Sequence, residues 1–143
     1  VQQLLAADEA GRYANDGRLM YDTLIMLKPD ASFTVDELHA LLVDVMKAAG
    51  SAAVEREGSR MRVTAGSGSI DITWHNSAYV VEESNEIAER FGVPLQGCRA
   101  RFEMAGDDPE MQLFNDYLLI NERLQATGKF VIFDTQECKL LFE

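Results

Sequence analysis

Basic side chains are scarce in this chain: thirteen lysines and arginines stand against twenty-four aspartates and glutamates, a net charge of −11. That balance repels phosphate backbones and excludes general nucleic-acid binding. Cysteine is nearly absent, and the two present, Cys98 and Cys138, are far apart with no C-x-x-C spacing. They read as small core hydrophobes in a reducing compartment, not as a disulfide framework or a thiolate metal site. With two histidines, His39 and His75, and no H-E-x-x-H, G-x-S-x-G or EF-hand spacing, the sequence points to no catalytic motif, metal or cofactor. No apolar run reaches the roughly 18 residues that span a bilayer, and no signal peptide is present, so the expectation is a cytoplasmic protein without membrane contact.

What is present suits one packed domain, 1–143. A hydrophobic content of 47% with seven phenylalanines exceeds what a disordered segment carries. There is no internal repeat and no linker. Val1 to Gly17 has a short helical pattern with Leu4, Leu5 and Tyr13 as its large apolar groups. Because Met20 would serve as a start, residues 1–19 read equally well as native chain or as appended sequence. The acidity is uneven. Residues 1–69 hold ten acids and seven bases, whereas 70–143 hold fourteen acids and six bases.

Periodicity gives the elements. Tyr21 to Lys28 reads as a strand apolar on both faces at Leu24-Ile25-Met26-Leu27, the mark of a strand covered on both sides. Thr34 and Glu37 make a capping box for a helix through Leu38, Leu41, Leu42, Val45 and Met46, with Gly50 to end it and Phe33 as its staple. From Ala52 to His75 the period switches to two, with turns at Glu57-Gly58-Ser59 and Gly66-Ser67-Gly68-Ser69, so a three-stranded antiparallel meander is expected. The glycine-serine run precedes a strand, not a helix N-terminus, and lacks a lysine, so it is a turn and not a phosphate loop. Val80 to Phe91 reads as a helix closed by Gly92. Cys98, Ala100, Phe102 and Met104 alternate as a strand. Asp108-Pro109 opens a helix with Phe114, Tyr117, Leu118 and Leu124 that ends at Gly128. Phe130 to Phe133 and Glu137 to Phe142 read as the last strands.

The expected fold class is therefore α+β: a two-layer sandwich of order β-α-β-β-β-α-β-α-β-β after a short N-terminal helix. Its antiparallel or mixed sheet would have about six or seven strands, with helices mainly on one face. If Met61, Val63, Ile70, Ile72, Trp74, Phe102 and Met104 face those helices, the other face presents Arg60, Arg62, Thr64, Asp71, Thr73, His75, Arg99, Arg101 and Glu103. It also carries Leu24 and Met26 with either Phe130/Ile132 or Val131/Phe133. Four such side chains in water would forgo about 1.5 to 3 kcal/mol each, so a cover is expected: the N-terminal segment, or a second copy of the protein or another partner.

Three groups of residues carry the functional expectations. Asp71, His75, Arg99 and Arg101 would form a ligand-binding patch on the open sheet face, in which a carboxylate orients the imidazole; the competing reading is a solvated face of cross-strand ion pairs. Leu24 and Met26 would form a partner contact, most simply a homodimer. Glu82, Glu83, Glu86 and Glu89 crowd one side of a helix, with Glu82 and Glu86 at a repulsive spacing that Glu86 and Arg90 offset only in part. That crowding points first to a solvated acidic face, then to a basic protein partner, and last to a metal, for which no Glu-x-x-His is present. Phe133-Asp134-Thr135-Gln136, at a strand end, is a place for site residues but more simply a turn. The functional expectation is a non-enzymatic acidic domain acting through protein contacts, of the inhibitor, immunity or adaptor kind. The alternative is a small-molecule sensor or enzyme with a polar pocket around His75.

Overall fold

The computed structural model describes residues 20–49 and 52–142. The expected N-terminal helix within 1–19 and the terminator Gly50 lie outside the described residues. Among these residues seven strands and three helices follow in the order β1 (Tyr21–Leu27), α1 (Val35–Ala49), β2 (Ala53–Glu57), β3 (Arg60–Ala65), β4 (Gly68–His75), α2 (Ala78–Phe91), β5 (Arg101–Asp107), α3 (Phe114–Ala126), β6 (Phe130–Asp134) and β7 (Lys139–Leu140). All strands pair antiparallel in one sheet of order β2-β3-β4-β5-β1-β6-β7. The molecule is an α+β sandwich with an antiparallel sheet.

Local chemistry explains the element ends. Thr34 Oγ1 accepts the Glu37 N–H and Glu37 Oε1 accepts the Thr34 N–H, both at 3.0 Å, the reciprocal box that starts α1. Gly92 ends α2 with φ 65°, its N–H donating to Ala88 O at 2.9 Å. The meander β2-β3-β4 forms as its alternation requires. Gly58, with φ 62°, occupies the first central position of the β2-β3 turn, where a type II′ turn needs a left-handed residue.

Two helices, α1 and α3, cover one face of the sheet. Leu38, Leu42 and Val45 of α1 and Ile120 and Leu124 of α3 pack there on Ile25, Met61, Val63, Ile70, Ile72, Phe102, Met104, Phe130 and Ile132. Phe33 wedges edge-on against Phe130 at 5.0 Å between ring centres, and Arg123 reaches Asp44 at 2.6 Å to tie α3 to α1.

The opposite face corrects the expectation about its cover. Leu24 and Met26 are 0% exposed, packed with Val131 and Phe133 beneath Val80, Ile87 and Ala88 of α2, with Leu95 and Cys98 completing this second core. The oily second rows do need a cover, and the chain supplies it with its own helix. Leu24 and Met26 therefore offer no surface to a second copy. Of the two candidate pairs on β6, Val131 and Phe133 are the ones on this side, set by the register Met26 with Val131 and Leu24 with Phe133. The helices lie mainly on one face, two of three, and the third adds a layer over half of the other.

Three boundaries differ from their sequence patterns. Cys98 turns into the second core while Phe102 and Met104 face the first, so β5 starts at Arg101. Helix α3 starts at Phe114, five residues after Pro109. Asp108 is not the helix N-cap, which is Leu113; it caps the turn ahead of the helix, where its carboxylate accepts the N–H groups of Gln112 at 2.8 Å and Leu113 at 2.7 Å. The final strand contracts to Lys139–Leu140.

Candidate functional site

The densest ionic cluster in the described residues sits where α2 enters its layer. Register places His75 of β4 directly opposite Arg101 of β5. Arg101 is 1% exposed, with its guanidinium under the first turns of α2. Burial of a guanidinium is tolerated only with partners that restore its hydrogen bonds. Two carboxylates partner it: Glu103 accepts from Nη2 at 2.6 Å and from Nε at 2.8 Å, and Glu83 of α2 forms an ion pair with Nη1 at 2.6 Å. Burial pulls the arginine's affinity for its proton down, but Glu103 and Glu83 more than reverse this, leaving it raised.

Aromatic groups close the cluster from the solvent side. The guanidinium lies 5.2 Å from the Tyr79 ring centre, a cation–π contact. The Tyr79 hydroxyl shares a hydrogen bond with His75 Nδ1 at 2.9 Å and donates to Glu103 Oε2 at 3.4 Å, while His75 Nε2 lies 3.4 Å from Glu103 Oε1. Burial first, and Glu103 second, push the Tyr79 phenol up. Two carboxylates outweigh one guanidinium, so an anionic ligand entering here would have to displace Glu83 or Glu103 from Arg101. Chemically the arrangement is an electrostatic anchor between α2 and the sheet.

The expected ligand patch is thus split. His75 and Arg101 come together, joined by Tyr79, Glu83 and Glu103. Asp71 does not join them; it binds Arg62 through two bonds at 2.7 and 3.2 Å and lies 3.7 Å from Arg60. Arg99 is exposed in the loop ahead of β5. The acidic helix side splits too: Glu82 and Glu89 are exposed and Glu86 is half-buried, while Glu83 turns inward. A signal for the missed residues exists, since Tyr79, Glu83 and Ile87 repeat at four-residue spacing and so share one side of α2.

A second polar cluster lies under α3. Tyr21 donates to Asp108 Oδ2 at 2.7 Å and stacks on Tyr117 at 4.4 Å, and the Tyr117 hydroxyl shares a 2.7 Å hydrogen bond with Thr23. A Cβ at Gly68 would approach Asp108 Oδ1 to 2.5 Å, so the bare backbone there makes room for the cap. Burial, then the Asp108 hydrogen bond, raise the Tyr21 phenol. Burial also raises the Asp116 carboxyl, whose Oδ1 has no hydrogen-bond partner among the described residues. A raised carboxylate costs stability when charged, so Asp116→Asn should make the protein more stable at pH 7. On acidification the folded wild type takes up the proton before the unfolded chain does, and it gains stability that the variant does not. Urea midpoints measured from neutral pH down through the carboxylate range should therefore converge; a constant gap would refute the assignment.

Asp134 behaves as a turn residue, its Oδ1 accepting the N–H groups of Gln136 at 2.9 Å and Glu137 at 3.2 Å. No group of three or more His, Cys, Asp or Glu able to hold a metal occurs among the described residues, and no described helix is long and apolar enough to cross a membrane. Family models, curated proteins and solved structures give no match to this chain.

Proposed function

We propose that this chain is a protein-binding domain that recognises a basic partner on the half of the sheet left uncovered by α2. The observation behind this reading is the charge layout of that half. Arg60 and Arg62 both lean inward onto Asp71, and the outer carboxylates Glu55 and Glu57 carry no ion pair among the described residues. The exposed Glu82 and Glu89 of α2 stand on the same side of the sheet, and the whole chain carries −11. Acidic surfaces of this kind speed the capture of basic targets. An inhibitor, immunity or adaptor role in the cytoplasm fits that surface, with Cys98 and Cys138 as free thiols.

A small-molecule site at His75 is the weaker reading, because Arg101 already has its carboxylates. Affinity capture from a lysate, followed by elution with rising salt, tests the proposal. Basic proteins should be retained and released as salt screens the contact. Retention of acidic or neutral proteins, or binding indifferent to salt, would overturn it.

A further inference from the structure

We infer that the outer edge of β2 takes an additional strand, an extended segment of a partner whose side chains alternate apolar and basic. This rests on the reading above and names its mode of contact. Strand β2 ends the sheet on its side, so one row of its backbone N–H and C=O groups has no strand to pair with among the described residues. Such an edge is a template for another strand. Ala53, Glu55, Arg56 and Glu57 are all exposed, and Val54 is half-buried.

The two sides of this edge differ in chemistry. On the helix side, α1 stands over the strand and leaves a groove of about 370 Å³ lined by Val43, Met46, Lys47, Ala52 and Val54. On the other side, a smaller hollow of about 110 Å³ is lined by Glu55, Arg56, Glu57, Arg60 and Arg62. Glu55 and Glu57 stand opposite Arg62 and Arg60 in the register, but Arg62 is bonded to Asp71 at 2.7 Å, Arg60 lies 3.7 Å from Asp71 and Arg56 binds Asp36 at 2.6 Å, so the outermost row of this face is the acidic one. A strand laid along β2 sends alternate side chains to opposite faces. Its apolar set would enter the groove beside Val54, and its basic set would stand beside Glu55 and Glu57.

A second copy of this chain fits the edge poorly. Antiparallel pairing of β2 with itself, on a two-fold axis that keeps faces matched, sets glutamate against glutamate in the registers centred on 55, 56 and 57, and avoids it only in the shorter register centred on Val54, where Glu55 meets Ala53. Like charges directly opposite are unfavourable. Charge thus favours a basic strand over self-association.

The probes are two short synthetic peptides, one alternating lysine with valine and one alternating glutamate with valine. Added to the full chain, the lysine peptide should bind, shift the backbone amide resonances of 53–57 and slow their hydrogen exchange; the glutamate peptide should not. Glu55→Lys with Glu57→Lys, at exposed positions, should weaken the lysine peptide about tenfold and let the glutamate peptide bind. Val54→Pro, on an edge strand, should block both peptides by altering the outward backbone. The inference is overturned if the lysine peptide fails to bind, if the amide shifts fall on α2, or if the charge reversal leaves both affinities unchanged. It is also overturned if light scattering shows that β2 pairs with itself. Salt-sensitive capture of a basic protein that survives both variants would sink the edge but leave the broader reading standing.

Discussion

Arg101→Ala should cost about 3–5 kcal/mol of stability, measured by urea denaturation, because it strands Glu83 and Glu103 beside each other without their cation. The loss is larger than for a surface ion pair, whose usual worth is about 0–1 kcal/mol, because Arg101 is 1% exposed and its ion pair with Glu83 joins α2 to β5. Acid should partly rescue the variant. Once the guanidinium is gone, two crowded carboxylates hold their protons more tightly in the folded state than in the unfolded one. Stability is then regained as pH falls through that raised folded value, a gain the wild type does not show. Replacing Arg101 with methionine, and Glu83 and Glu103 with leucine, in one variant should restore most of the loss, since apolar groups of similar size need no partners. If Arg101→Ala denatures within about 1 kcal/mol of wild type at neutral pH, the cluster does not hold α2 to the sheet.

How far these features can be read from the residues depends on what periodicity encodes. The capping box at Thr34 and Glu37, the meander and the two-sided burial of β1 follow from local spacing, and each is present in the fold. Periodicity says which side of an element is apolar, but not which layer that side meets. The helix from Val80 to Phe91 was therefore visible, while the place of its buried Val80, Ile87 and Ala88 over Leu24 and Met26, on the sheet face away from α1 and α3, was not. The same gap explains Arg101. Alternation put it on a polar face, and only the long-range placement of α2 turns that position from surface to interior. Alternation put His75 and Arg101 on one face, but the pairing of β4 with β5 that makes them neighbours, like the helix that brings Glu83, is a long-range placement no local pattern fixes.

That placement of α2 has its own measurable consequence. Leu24→Ala, on the sheet, and Ile87→Ala, on the helix, each remove atoms from the same fully buried second core, so each should cost about 2–5 kcal/mol. The cost of the double variant should fall short of the sum, because two cavities opened in one cluster merge and let the helix settle. A cover supplied by a second copy would behave differently: unfolding midpoints would move with protein concentration, since dissociation would accompany exposure of Leu24 and Met26. With α2 as the cover, the single and double variants should melt at midpoints independent of concentration. A concentration-dependent Leu24→Ala, or a loss below about 1 kcal/mol, would mean that Leu24 is not held under α2 in the way these contacts require.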